Sequence, residues 1–143
     1  MKMMFGELLE KMEPLSEDKK VSLLNENKSP LMKDILKVFL IDGIPTEKLG
    51  DISKMVFKTA RYEPDRMSHL YPEFVTFKRK FVLRQDITTE NLQMSLKELL
   101  EHIDEYEARF IVEAILTKDS TIITKKVIEG VFPELLEVSN ASV

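Results

Sequence analysis

Residues 104–136 read DEYEARFIVEAILTKDSTIITKKVIEGVFPELL, and this stretch decides the fold. Tyr106, Ala108, Phe110, Ile111, Val112, Ala114, Ile115 and Leu116, placed at about 100° per residue, cover most of a helix circumference. Only Arg109 and Glu113, one turn apart, make a polar seam. A helix apolar nearly all round is a buried one. The spacing therefore predicts a central post from Asp104 to about Thr117. Asp104 with Glu107 three residues later has the spacing of a capping box. Lys118-Asp119-Ser120 reads as a turn. Ile123, Val127, Ile128, Val131 and Phe132 then share the core face of a further helix, with Lys125, Lys126 and Glu129 opposite. Pro133 to Leu136 reads as a short last turn.

Working outward, the helical pattern continues to the N-terminus. Leu92, Leu96, Leu99, Leu100 and Ile103 lie on one face of a helix that Thr88 or Thr89 caps. Pro72 opens another, PEFVTFKRKFVL, whose Phe74, Phe77 and Phe81 point to the core. Val75-Thr76-Phe77 would suit a strand, but Lys78, Arg79 and Lys80 break any alternation. Lys78 falls inside the aromatic sector, where it snorkels, pairs with an acid or marks a contact surface. Residues 60–71 lack a period and form the longest predicted loop. Thr46 caps a predicted helix through Lys58, with Leu49, Ile52, Met55 and Val56 on one side. Asp42-Gly43-Ile44-Pro45 is a turn. Ser29-Pro30 opens a helix over PLMKDILKVFLI. Ser16 caps one containing Val21 and Leu24. Phe5, Leu8, Leu9 and Met12 face the core from a first helix that Pro14 closes.

The chain has 143 residues, enough for one domain with a real core. With 4 Gly and 6 Pro it has too few turn residues for an all-β fold. No repeat, linker or low-complexity segment divides it. The expectation is an all-α fold, a single compact bundle of about seven to eight short helices over residues 1–138, with a frayed tail at 139–143. No cysteine is present, which excludes disulfides and thiolate metal sites. No apolar run approaches the roughly 20 residues of a membrane span. The N-terminal MKMMFGELLEKMEP lacks the apolar core of a signal peptide. An intracellular protein without membrane contact is expected.

The net charge of −4 argues against strong nonspecific nucleic-acid binding. The charge is uneven, though. Lys54, Lys58, Arg61, Arg66, Lys78, Arg79, Lys80 and Arg84 crowd one segment against only Glu63, Asp65 and Glu73. Tyr62, His69 and Tyr71 interleave rings with those cations, as nucleic-acid surfaces do. The competing reading is a solvated face or a protein contact. Asp104, Glu105 and Glu107 are most simply helix-start electrostatics, the alternative being an acidic patch for a basic partner.

Catalytic constellations are absent. Gly6, Gly43, Gly50 and Gly130 are scattered and form no phosphate loop. There is no nucleophile elbow and no Cys nucleophile. Glu98 and His102, one turn apart, are too few to make a metal site. No catalytic residue, metal or cofactor is predicted, and the protein is not expected to be an enzyme.

Two segments carry a resemblance. One is FGELLEKMEPLSEDKKVSLLNENKSPLMKDILKVFL, from Phe5 to Leu40. The other comprises SHLYPEFVTFKRKFVL, IDEYEARFIVEAILTKD and ITKKVIEGVFPELL. Phe5-Gly6-Glu7-Leu8-Leu9, Leu24-Asn25-Glu26-Asn27, Leu70-Tyr71, Glu107-Ala108 and Phe132-Pro133-Glu134-Leu135 resemble a family of small proteins of contractile-tailed phages (myoviruses). The same layout is similar to the N-terminal helical DNA-binding domain of phage ATP-dependent DNA ligases, which ends in a long helix, a polar turn and a helix running into an aromatic-Pro-x-Leu element. The resemblance implies a ligase-like helical fold and a phage accessory protein in the host cytoplasm or the virion. It implies contact with DNA, or with a DNA-processing complex, through Lys54 to Arg84. Ser120, Thr121, Lys125 and Lys126 are the phosphate-contact candidates of the last turn. The alternative is a module that binds a host or phage protein and has no nucleic-acid role. The turn lacks the glycine of the ligase pattern. Ligase chemistry itself is excluded, since a Lys-x-Asp-Gly motif is missing: Leu40 stands two residues before Asp42-Gly43. Oligomeric state is not legible.

Overall fold

A computed structural model describes residues 5–44, 49–50, 52, 55–58, 70–81 and 87–136. They form eight helical elements, and no strand occurs among the described residues: α1 (Phe5–Met12), α2 (Glu17–Asn27), α3 (Pro30–Leu36), α4 (Lys37–Asp42), α5 (Leu70–Phe81), α6 (Thr89–Glu101), α7 (Glu105–Thr117) and α8 (Lys125–Val131). Pro133 to Leu136 adds a final helical turn. No helix among the described residues is long and apolar enough to cross a membrane. The expected Thr46 cap and the tail at 139–143 lie outside the described residues.

The helix boundaries follow local chemistry. Ser29 accepts a hydrogen bond from the Met32 amide, with Pro30 at the first helical position. Thr88 does the same for Asn91, and Thr124 for Val127. Ser16 stands at the N-cap of α2, but its side chain makes no capping bond. The predicted third helix changes winding midway. From Lys37 it is π-wound, and Val38, Phe39 and Leu40 are buried in succession.

Two predicted helices differ from their expected spans. The helix expected from Thr46 through Lys58 does not extend that far, since residues 55–58 are not helical and Val56 is 83% exposed. Gly50, at φ +81, takes a left-handed conformation that halts a helix where it stands. In contrast, α5 begins at Leu70, two residues before Pro72. A proline in the first turn removes an amide that has no helical partner, so it does not delay the start.

The core joins the two ends of the chain. α1 packs on α7 and α2 packs on α8. Phe5 meets Phe110 edge to face at 5.3 Å between ring centroids. Gly130 lets α8 approach α2 closely, since a Cβ there would press on the Val21 side chain. The Lys20 ammonium crosses the same junction to the Ile122 carbonyl at 2.9 Å. A second layer is built where α5 packs on α1, α3 and α6. Phe39 stands there between Phe74 and Phe77, at 5.9 and 6.0 Å. Leu92, Leu96, Leu99, Leu100 and Ile103 are buried as the spacing predicts.

α7 packs on α1 and α4. It buries Ala108, Phe110, Ile111, Ala114 and Ile115 but is not enclosed all round. Leu116 is 50% exposed, and Tyr106 and Val112 are half-buried. The predicted post is thus a wall with one wetted edge. Arg109 on that edge lies over the Tyr106 ring at 5.5 Å and 3.9 Å from the Glu13 carboxylate.

Candidate functional site

Of the basic segment, Lys54, Arg61, Arg66 and Arg84 lie outside the described residues, as do Tyr62 and His69. Lys58 is exposed in a non-helical stretch. Lys78, the cation inside the aromatic sector, pairs with Asp34 of α3 at 2.9 Å. Of its three sequence readings, pairing with an acid is the one found. Lys80 pairs with Glu98 of α6 at 3.2 Å. Arg79, between them, is exposed and makes no ion pair among the described residues.

The last turn is equally occupied. Lys118 ends α7 in the left-handed region at φ 56, and its amide bonds to the Ala114 carbonyl at 2.7 Å. Ser120 is buried, and its hydroxyl accepts from the Ile122 and Ile123 amides at 3.1 and 3.0 Å. Thr121 donates its amide to the Glu113 carboxylate at 2.6 Å, and its hydroxyl lies beside the same group. Lys125 and Lys126 are exposed at the start of α8 without an ion pair among the described residues.

Helix packing distributes these groups. Lys78 to Lys80 ride on α5, which packs on α1, α3 and α6, whereas Lys125 and Lys126 ride on α8, which packs on α2. Half of the nominated residues that are described (Lys78, Lys80, Ser120 and Thr121) have their polar groups engaged within the protein. A surface lysine tied to a carboxylate offers a phosphate little net charge.

The structure assembles a cleft between α5 and α6. Two adjoining hollows, of about 60 and 450 Å³, share Lys80, Ser95 and Glu98. Glu73, Thr76, Phe77, Leu99 and His102 line the first, and Ile87, Thr88, Asn91 and Met94 the second. The Lys80–Glu98 pair therefore lies where the two hollows meet. Met94, 61% exposed, stands at the rim. The His102 Nδ1 lies 2.6 Å from the Glu98 carbonyl oxygen. A carbonyl only accepts, so Nδ1 carries a proton. The Glu98 carboxylate, for its part, pairs with Lys80. No group of three metal-ligating side chains exists among the described residues. Of the cleft, sequence reasoning named only Lys80 as a binding residue. Met94 carried a signal, being the one large apolar side chain of α6 off its core face.

A second polar constellation lies inside the fold. The capping box predicted at Asp104 and Glu107 forms in full: the Glu107 amide donates to Asp104 Oδ1 at 2.9 Å, and the Asp104 amide to Glu107 Oε1 at 3.4 Å. It is not an exposed acidic patch, because both side chains are buried. Glu107 Oε2 also accepts from the Gly6 and Leu70 amides, at 3.2 and 3.0 Å. Burial, then the adjacent Asp104 charge, pushes the Glu107 carboxyl up to about 9.

The chain matches no protein-family model, no curated protein and no solved structure.

Proposed function

We propose that the protein is a non-catalytic binding module that docks on another protein through the α5–α6 face. The observation that carries this is the cleft itself: an exposed Met94 beside Ile87, with Lys80, Glu98, Asn91 and Ser95 offering both charges and both hydrogen-bond senses. An apolar anchor within a mixed polar rim is how protein contacts are built. Pairing of Lys78 and Lys80 with acids further favours a protein over a phosphate backbone. In the phage setting that the sequence resemblance implies, the partner is a host or virion protein.

The test is capture from infected-cell lysate on the immobilised full chain, with and without nuclease, beside Met94→Asp. A partner retained after nuclease and lost with Met94→Asp supports the reading. Capture unaffected by Met94→Asp removes this face from it. Contact with DNA is the second reading, favoured by Lys58, Arg79, Lys125 and Lys126, exposed cations without an ion pair among the described residues. A salt-sensitive electrophoretic shift on duplex DNA, abolished by Lys125→Glu with Lys126→Glu, would establish that reading instead.

A further inference from the structure

The Asp104–Glu107 pair takes no part in the proposed face, and it joins three helix starts at one point. Glu107 is fully buried and Asp104 is 1% exposed. The three amides that Glu107 accepts belong to the first turn of α1 (Gly6), the first residue of α5 (Leu70) and the N-cap of α7 (Asp104). Asp104 Oδ2 is a buried oxygen without a hydrogen-bond partner among the described residues. Two carboxylates side by side and buried from bulk solvent repel strongly. One proton relieves the repulsion and gives the unpartnered oxygen a donor.

We propose that Asp104 and Glu107 hold a single proton between them, and that this proton is a clasp binding the starts of α1, α5 and α7 together, which opens when the proton leaves.

The described residues around the pair offer no substitute for it. α1 brings the Gly6 amide, with the half-buried acid Glu7 next along the chain. α5 brings the Leu70 amide, with half-buried Glu73 three residues on. α4 brings buried Val38, Phe39 and Leu40, while its Lys37 and Asp42 are exposed and 3.9 Å from each other. The largest influences on Glu107 are its burial, Asp104 and the Leu70 amide, with no cation of the described residues among them. Gly6 shows how tight the site is: a Cβ there would run into the Asp104 carboxylate.

The pH dependence follows in sign. The folded state keeps a proton that the unfolded chain releases near the ordinary carboxyl value. The stabilisation is thus complete below about pH 4.5, falls as pH rises toward about 9, and is constant above. Within that window one retained proton changes the folding constant by at most about tenfold per pH unit.

The experiment is urea unfolding of the full chain, followed by circular dichroism at unit steps from about pH 5 to about pH 9, for wild type and Glu107→Gln. Glutamine keeps the size, its one oxygen accepts the Gly6 and Leu70 amides, and its NH2 takes the place of Oε1 beside Asp104 at the loss of the 3.4 Å bond from the Asp104 amide, so its slope lacks this proton. A steeper fall for wild type than for Glu107→Gln is expected; equal slopes overturn the clasp. Should Glu107→Gln not fold, carbon NMR of the Glu107 carboxyl replaces it. A midpoint above neutrality that drops in Asp104→Asn supports the proposal, and an ordinary carboxyl midpoint overturns it. Amide exchange at Gly6 and Leu70 reports the opening itself: both must lose protection together as the carboxyl titrates. Separate loss overturns the joint clasp.

Discussion

Gly6→Ala places one methyl group where the Asp104 carboxylate stands. The three atoms nearest such a Cβ are Oδ2, Cγ and Oδ1 of Asp104, the latter two at 2.7 and 2.9 Å. The carboxylate has no room to swing aside, being buried and bound to the Glu107 amide at 2.9 Å. α1 is pushed off α7, and the cap breaks with it. Overpacking a close contact costs about 1–3 kcal/mol, and losing an N-cap about 1 kcal/mol. The better helix propensity of alanine returns about 0.5–1 kcal/mol. The expected net loss is about 2 kcal/mol. At a urea slope of about 2 kcal/mol per molar, the unfolding midpoint falls by about 1 M. The decisive measurement is a double-mutant cycle. Asp104→Ala removes the obstacle, so Gly6→Ala in that background costs nothing and recovers the helix propensity. A coupling energy above about 1 kcal/mol is expected for groups in contact. Additive losses, or a Gly6→Ala protein as stable as wild type, would refute the reasoning.

Three further outcomes are expected. Phe39→Ala, which empties the space between Phe74 and Phe77, costs about 3–5 kcal/mol in chemical unfolding. Lys118→Gly raises stability by up to about 1 kcal/mol, because a β-carbon is disfavoured at φ 56; a loss would show that the lysine stem lying over Gly43 contributes more than the backbone strain costs. Lys80→Ala changes stability by less than about 0.5 kcal/mol, since its ion pair with Glu98 is about half exposed. The same variant tests the binding face, as its effect on partner capture is expected to exceed its effect on folding.

Most of the helical layout was legible because caps and apolar spacing agree. Ser29-Pro30, Thr88, and Asp104 with Glu107 each mark a start, and the leucines of α6 leave one face to bury. What periodicity did not show was where winding changes. The run Val38-Phe39-Leu40 fits α and π winding alike, and only packing against Phe74 and Phe77 tells them apart. Gly50 inside an otherwise helical pattern reads as tolerated until its left-handed φ is known. For the site, composition located the cations but not their partners. Asp34 and Glu98 lie 44 and 18 residues from Lys78 and Lys80, so their neutralising effect is a tertiary fact. Glu107 was legible as a cap, whereas its contacts with Gly6 and Leu70 depend on how three helices converge.

The joining of the chain's two ends has a consequence for its synthesis. Gly6 bonds to Glu107, Lys20 to Ile122 and Asn25 to Gly130, across 101, 102 and 105 residues. Contacts this distant in sequence require closing a long loop before they return any free energy. On the ribosome, α1 and α2 emerge well before α7 and α8, the helices that cover them. A nascent chain halted at Thr117 leaves Val21 and Leu24 without α8, and one halted at Glu101 leaves Phe5 without Phe110. α1 and α2 must therefore stay soluble until α7 and α8 have been made. The charged outer faces of α1 and α2 suit them to that interval.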